Sequence, residues 1–420
     1  MDSYLLTKED SDSKEILRNV NIFCLGYLIY FLGYALSGTG YVNYVLFQGF
    51  QVIGLVLIVP SAINLIKSKI EDLYLKFIFI LYFSWGILLI LKGYSSLLDY
   101  NYLKRFLLDP TYGGMLYFVP LILLFPKRGI FYKRIFDLIV LFGIIYILYD
   151  ILFIKNLLTS QHESQTSLGI VEISSDLSFA CAFILLTLAY HSNKRILLSA
   201  TVMLLTLLFA VIRARRGLIL MTSAILLFSY LFYLFNSQRR LLILYLSILT
   251  VLICITYATH IYKPAENRIF SYMIERGGED SRTGVELYFY ADMNLKDWIF
   301  GRGINGEYFC PDIEQDQVTN YRDVIETGYL QIILKGGIIS LGLLLLMAIP
   351  AIIKGLFFSR NIFSKAAAIW IFWVLISMYP AVVNSFTLRY LLFWIAIGIC
   401  YSKNIRNMSD NSVKQFINAY

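Results

Sequence analysis

Three arginines in the segment VIRARRGLIL are the first residues of this chain whose type and setting suggest chemistry. Arg213, Arg215 and Arg216 lie between two apolar runs. An arginine at the centre of a bilayer costs about 2.5–3.5 kcal/mol to insert, so charge beside an apolar run predicts a functional site. We expect the cluster at the membrane edge or facing a wet cavity. A continuing helical turn would put Arg213 and Arg216 on one face, with Arg215 pointing away. The alternative is that the side chains snorkel to lipid headgroups.

Two pairs of carboxylates are the other candidates. In IVEISSDLSF, Glu172 and Asp176 are four residues apart and therefore share one face of a predicted helix. We expect them to be structural countercharges for arginines on a neighbouring helix, with a catalytic role as the alternative. In YRDVIETGYL, Asp323 and Glu326 share a face where a polar segment meets an apolar one. A carboxylate there could work at the membrane surface, or only stabilise a helix start through the macrodipole.

The composition indicates which elements must position these side chains. Of 420 residues, 58% are hydrophobic and 15% are charged, whereas a soluble domain has roughly 25% charged residues. Repeated apolar runs match the ~20 residues that a helix needs to cross a bilayer. We therefore predict an all-α, polytopic integral membrane protein. The net charge of +8 is explained by the basic loops that orient such proteins, without nucleic-acid binding.

The apolar runs predict about twelve transmembrane helices. They lie near 19–36, 44–66, 77–92, 112–126, 135–153, 169–190, 196–213, 217–235, 241–258, 328–350, 367–386 and 388–402. Lysine and arginine are concentrated in alternate connections, which places both termini in the cytoplasm. The predicted organisation is a single membrane domain over 1–420. It has spans in 1–258, a large outer loop in 259–327, further spans in 328–402 and a cytoplasmic tail in 403–420.

The outer loop has a predicted structure of its own. Thr283 and Glu286 have the spacing of a capping box, so we predict an amphipathic helix over 283–298 that lies on the membrane face. Its apolar residues at helical spacing are Leu287, Tyr288, Ala291, Leu295 and Trp298. Arg282 precedes this helix directly.

Glycines follow the predicted helix and recur further on. Gly301, Gly303 and Gly306 match G-x-G-x-x-G, but no strand precedes them, which excludes a dinucleotide site. We predict a tight turn under the amphipathic helix instead. Gly336 and Gly337, in the span that follows the loop, are expected to allow close helix packing.

Together these features resemble the O-antigen polymerase and ligase superfamily of bacterial envelope glycan enzymes. The resemblance covers about 169–350 and includes the many spans and the late outer loop. Its residues are Arg216-Gly217, Ser281-Arg282, Trp298, Gly301 and Gly303.

The end of the loop also resembles a pattern of that superfamily, His-Asn-x-Tyr-Leu followed by a glycine. Tyr329, Leu330 and Gly337 match it, but Glu326 and Thr327 stand where ligases carry histidine and asparagine. This departure favours a polymerase over a ligase.

The resemblance implies a metal-independent glycosyltransferase of the bacterial inner membrane, without a cofactor and with its large loop in the periplasm. Such enzymes transfer a growing glycan from undecaprenyl pyrophosphate onto a lipid-linked repeat unit, and a chain-length regulator protein is a further expected partner. The expected ligands of the leaving pyrophosphate are Arg216, Arg282, Arg213 and Arg215. Glu326 is the expected base provided that it is partly buried, with Asp323 as the alternative. An O-antigen ligase, and a transporter or flippase for anionic lipid-linked saccharides, stay open as alternatives.

Overall fold

The computed structural model describes residues 2–39, 44–67, 69–93, 99–110, 114–158, 165–236, 281–311 and 320–418. Among these residues, eight helices are long and apolar enough to cross a membrane. This confirms that the chain has the all-α fold of a polytopic membrane protein. The number of about twelve spans stays a prediction, and the predicted span 241–258 lies outside the described residues.

Ten helices are described in the first part of the chain. They are α1 (Asp2–Ser37), α2 (Tyr44–Leu65), α3 (Leu73–Lys92), α4 (Tyr100–Leu108), α5 (Gly129–Leu152), α6 (Ile154–Leu158), α7 (Gln165–Ser178), α8 (Cys181–Leu186), α9 (Asn193–Ile212) and α10 (Arg216–Asn236). Three short 3-10 helices occur at Gly114–Leu116, Val119–Leu124 and Leu188–Tyr190.

Seven helices and two short strands are described in the remaining part. The helices are α11 (Ser281–Asp292), α12 (Leu295–Phe300), α13 (Gly328–Phe357), α14 (Ile362–Ser377), α15 (Leu388–Tyr401), α16 (Lys403–Asn407) and α17 (Asp410–Asn418). Strand β1 (Tyr308–Phe309) pairs antiparallel with β2 (Tyr321–Arg322), with Tyr308 opposite Arg322.

The chain divides into two compact units, which the sequence analysis does not anticipate. Unit 1 consists of Met1–Phe142 with Arg282–Tyr420, and unit 2 consists of Gly143–Ser281. Unit 1 contains the described part of the large loop, and unit 2 contains the arginine cluster.

Unit 1 is built around α13, which packs against α3, α12, α14 and α15. Three tryptophans, Trp370, Trp373 and Trp394, are fully buried in α14 and α15, and Tyr82 of α3 contacts Trp394 with a ring-centroid distance of 5.7 Å. Within a bilayer, helices associate through such close packing and polar contacts, because lipid tails are as apolar as the side chains. The loop is therefore attached to a tightly packed set of spans.

Three predicted spans differ from the structure. The span 112–126 contains two 3-10 helices, Gly114–Leu116 and Val119–Leu124. Pro120, which has no N–H group to donate, lies at the start of the second one. The span 169–190 corresponds to Gly169–Leu186, which is one of the eight, but its helix is interrupted at Phe179 and Ala180, between α7 and α8. The span 367–386 is shifted to α14, because helical structure ends at Ser377.

The amphipathic helix predicted over 283–298 is not one continuous helix. It is two helices, α11 and α12, because Asn294 starts a new helix by accepting a hydrogen bond from Asp297 N at 3.0 Å. The buried side chains of α11 are Val285 and Phe289. Leu287 and Leu295, predicted to lie on the membrane face, are 60% and 77% exposed on the folded chain. Contact of this side with the membrane stays a prediction.

Candidate functional site

The loop and the membrane spans of unit 1 meet at a backbone junction formed by two glycine turns. Helix α12 ends at Gly301, whose φ is +67°, and Gly303 follows with φ +90°. Opposite them, Gly337 has φ +69° and ψ −178° and breaks α13 within its length. Only glycine adopts these backbone angles without strain. The predicted turn at Gly301 and Gly303 is confirmed, but Gly337 interrupts a helix where close packing alone was expected.

Backbone hydrogen bonds join the two turns. Arg302 N donates to Leu334 O at 2.8 Å and Gly303 N donates to Lys335 O at 2.9 Å. Residues before a helix break have carbonyl groups without partners in their own helix, so the loop satisfies acceptors that the break leaves open. A Cβ atom at Gly337 would lie 2.0 Å from Ile299 O. The loop and α13 therefore approach more closely than any side chain permits.

Two lysines reinforce this junction. Lys92, at the end of α3, donates to Gly301 O at 2.7 Å. Lys335 is 1% exposed and donates to Gly306 O at 3.0 Å. A buried ammonium group is costly unless it is hydrogen-bonded and near opposite charge, and Lys335 lies within electrostatic range of Asp323 and Glu307. The junction therefore holds a fixed positive charge.

Arg302 fixes the fold of the loop itself. Its guanidinium group donates to one carboxylate in each loop helix, Asp292 of α11 and Asp297 of α12, and to Glu307 O at 2.7 Å. Burial alone would lower the pKa of Arg302, but the hydrogen bonds and charges of Asp292 and Asp297 raise it above its ordinary value. Asp292 also accepts from Phe309 N at 3.0 Å. One arginine thus connects α11, α12 and β1.

An ion pair lies where the loop returns to the membrane. Arg105 of α4 donates to Asp323, with 2.5 Å between Nη2 and Oδ2, and the Arg105 side chain is 42% exposed. The segment after Asp323 is held by Gln331, whose Oε1 accepts from Ile325 N at 2.8 Å. Because Lys335 is within electrostatic range of both Arg105 and Asp323, one carboxylate and two cations share this region.

Glu326 and its neighbour have different environments. The Glu326 side chain is exposed, so the partial burial on which its role as a base depends is not present. Thr327 is buried and donates to Glu286 of α11 at 2.5 Å. Thr327 also precedes α13 directly. The hydroxyl group therefore connects α11 to the start of the span, and Asp323 becomes the better placed carboxylate.

The arginine cluster belongs to unit 2 and lies in a sharp turn, so the continuing helix that would put Arg213 and Arg216 on one face is not present. Helix α9 ends at Ile212, Ala214 has φ +49°, and α10 begins at Arg216. Arg215 N donates to Ala210 O and Ala214 N to Val211 O, which is a Schellman end to a helix. Arg213 is 2% exposed, whereas Arg216 is exposed. The two side chains thus do not share an environment.

The remaining predicted residues are placed as follows. Asp176 of α7 is buried and Glu172, one turn earlier, is exposed. Their role as countercharges stays a prediction. Arg282 lies in the first turn of α11, and its side chain lies outside the part of the structure that is described. In unit 1 the structure therefore places Asp323 and Glu326 in one segment. In unit 2 it places Arg213, Arg215 and Arg216 at the turn between α9 and α10.

Sequence reasoning missed Arg105, Lys92 and Arg302 as components of the junction. One signal for Arg105 was present, because Lys104 and Arg105 are basic residues in a connection that topology predicts to be poor in them. The same argument singled out Arg213. Arg302 and Lys92 have no comparable signal, since a loop arginine and a lysine at a span end are both common.

Comparisons with protein-family models, with curated proteins and with solved structures find no match to this chain. The function of the junction must therefore be inferred from its own chemistry and from the resemblance in the residues.

Proposed function

We propose that this chain is a metal-independent glycosyltransferase that polymerises glycans carried on undecaprenyl pyrophosphate. A hydroxyl oxygen of a lipid-linked repeat unit attacks the anomeric carbon of the growing glycan. The bond from that carbon to the pyrophosphate oxygen breaks, and the pyrophosphate leaves with the electron pair. The hydroxyl proton passes to a carboxylate. The reaction needs a fixed cation at the leaving group and a base at the attacking hydroxyl.

The observation that carries the proposal is the pairing of Arg105 with Asp323 at the start of α13. The pair combines a guanidinium group, which binds phosphate oxygens in a bidentate manner, with a carboxylate held at a fixed distance from it. Asp323 is only 18% exposed in its side chain, while Glu326 is exposed. We therefore assign the base to Asp323 and add Arg105 to the expected ligands of the pyrophosphate.

The junction supports this assignment because it positions the pair. Lys92 and Lys335 hold the loop backbone against the spans, so the carboxylate is presented from a rigid support. A reacting group must be held close to its productive position for efficient catalysis. Lys335 also supplies positive charge that can stabilise a leaving anion nearby.

Location and partners follow from the same proposal. The loop faces the periplasm of a bacterial inner membrane and both termini are cytoplasmic, as the distribution of basic residues predicts. The substrates are undecaprenyl-pyrophosphate-linked glycans within the bilayer, and a chain-length regulator protein is a proposed partner. Arg213, Arg215, Arg216 and Arg282 remain proposed ligands of the pyrophosphate.

The test is a gel of surface glycans from cells in which the gene carries a single substitution. We expect Asp323→Asn and Arg105→Gln to reduce the ladder to a single repeat unit, because each removes one group of the pair. Glu326→Gln should leave the ladder intact. The matched control is Lys296→Gln, which removes an exposed positive charge from α12 and should also leave it intact. Protein abundance in the membrane is measured for every variant.

Two outcomes would contradict the proposal. Full-length polymer that accumulates on undecaprenyl pyrophosphate without reaching its acceptor would identify a ligase. An unchanged ladder in a strain without the gene would refute any role in polymerisation. If the ladder is lost with Glu326→Gln but kept with Asp323→Asn, the protein is still a polymerase, but Glu326 and not Asp323 is its base.

A further inference from the structure

Unit 2 contains a buried carboxylate that the proposed glycan chemistry does not use. Asp150 lies in the last turn of α5, inside an apolar segment, and is 4% exposed. Its Oδ1 atom accepts a hydrogen bond from Ser174 Oγ of α7 at 2.8 Å. An ionisable side chain within a membrane span is expensive and is a candidate functional site for that reason.

Further hydroxyl groups surround the carboxylate. Tyr146, one turn earlier on α5, interacts with Asp150 through its hydroxyl group. Thr206 of α9 donates to Tyr146 Oη at 3.1 Å. A hydroxyl group that donates its hydrogen keeps two lone pairs with which it can bind a cation. Oxygen atoms from three helices, α5, α7 and α9, therefore form one hydrogen-bonded cluster that includes the Asp150 carboxylate.

Two oxygen atoms at this place have unused bonding capacity. Within the described part of the chain, Asp150 Oδ2 and Tyr149 Oη are buried and receive no hydrogen bond. Buried polar atoms almost always have a partner, and an exception is often explained by an ion or water. Among the described residues, the groups that act on the Asp150 carboxyl are Ser174 and Tyr146, and both are neutral. Neither of them balances a negative charge.

The helix that carries Ser174 is interrupted close by. Helix α7 ends at Ser178 and α8 begins at Cys181, although the whole segment Gly169–Leu186 is apolar and mostly buried. Only short-range bonds cross the interruption, from Ala182 N to Phe179 O and from Phe183 N to Ala180 O. Interrupted membrane helices recur at cation sites because the freed carbonyl groups become ligands.

We propose that Asp150 binds a sodium ion in unit 2, together with the hydroxyl groups of Tyr146, Ser174 and Thr206. The ligand is a monovalent cation because a single carboxylate supplies the charge, and in the described residues no three acidic, histidine or cysteine side chains meet. Oxygen ligands alone suit a hard cation. The ion would neutralise a carboxylate whose burial is otherwise costly. This site does not depend on the proposed glycan chemistry.

The test is binding of radioactive sodium to the purified full-length protein in detergent, without glycan. Sodium is varied against N-methylglucamine at constant pH and ionic strength. We expect saturable binding to the wild type, and a loss of affinity of roughly tenfold or more with Asp150→Asn, which keeps the side-chain shape. Thr206→Val, which removes only a hydroxyl group, should weaken binding to a smaller extent.

The matched control is Asp137→Asn on the same helix. Asp137 is half-exposed and pairs with Arg134 at 3.5 Å, so its loss should leave sodium binding unchanged. If Asp150→Asn does not give folded protein, Ser174→Ala and Thr206→Val test the proposal in its place, and both must weaken sodium binding. Absence of saturable binding to the wild type, or equal affinity in wild type and folded variants, would overturn the proposal.

Discussion

Gly337→Ala is the substitution that tests the junction between the loop and the spans most directly. Gly337 has φ +69° and ψ −178°, angles that an alanine adopts only with strain. Its added Cβ atom would also lie 2.0 Å from Ile299 O and 2.7 Å from Gly301 N. Both contacts are with backbone atoms, so no side-chain rotation can relieve them. Either α13 or the loop must move.

The size of the effect follows from what is lost. Backbone strain of this kind costs about 1–3 kcal/mol. Displacement of the loop breaks the bonds from Arg302 N to Leu334 O and from Gly303 N to Lys335 O, each of which contributes about 0.5–1.5 kcal/mol. We therefore expect Gly337→Ala to lower the free energy of unfolding by about 2–6 kcal/mol.

The assay is thermal unfolding of the purified protein in detergent, together with the rate of proteolysis in the loop. Gly342→Ala is the matched control, since it lies on the same helix and a Cβ atom there meets nothing within 4 Å. Alanine is the better helix former by up to about 1 kcal/mol, so the control should be neutral or slightly stabilising. Equal unfolding midpoints and equal cleavage rates for the two variants would refute the close backbone approach.

Three further predictions concern charged groups. Arg302→Ala should lower the free energy of unfolding by about 2–4 kcal/mol, because two carboxylates lose their shared partner, and Arg302→Lys should recover only part of it in the same melt. A double-mutant cycle on Arg105 and Asp323 should give a coupling free energy of about 1 kcal/mol, since the pair is partly exposed. A coupling free energy of zero would contradict an ion pair between the two side chains. Burial lowers the pKa of His191 from 6.5 to about 3, and Arg195 adds to this shift. Between these values the unfolded state binds more protons, so stability should fall as the pH falls from 6.5 to 3, and His191→Gln should flatten that slope.

Hydropathy located spans well where a run is both apolar and free of breaks. The predicted runs 196–213 and 217–235 match α9 (Asn193–Ile212) and α10 (Arg216–Asn236) within a few residues. It failed for 112–126, because an apolar composition does not distinguish an α-helix from a 3-10 helix containing Pro120. It also missed the break at Gly337, which depends on a loop backbone that reaches the helix from elsewhere in the chain.

The candidate site was predictable only in part. Asp323 was found because it lies beside an apolar run, but its partner Arg105 is 218 residues away, and nothing in one sequence links the two. Apolar residues occur on two sides of α11, and helical spacing alone does not show that Val285 and Phe289 are the ones that pack inside the protein. Long-range contacts decide both cases.

Four hydrogen bonds at the junction have one property in common. Side chains at Lys92, Lys335, Trp85 and Asn305 all bind main-chain carbonyl oxygens, of Gly301, Gly306, Gly336 and Gly93 respectively. Every amino acid supplies a carbonyl oxygen, so these attachments do not constrain which side chains the rest of the loop carries. The exposed side chains of the loop can therefore vary during evolution while these bonds keep the loop in position. Proteins built in this way would diverge in the sequence of the loop and keep the geometry of the junction constant.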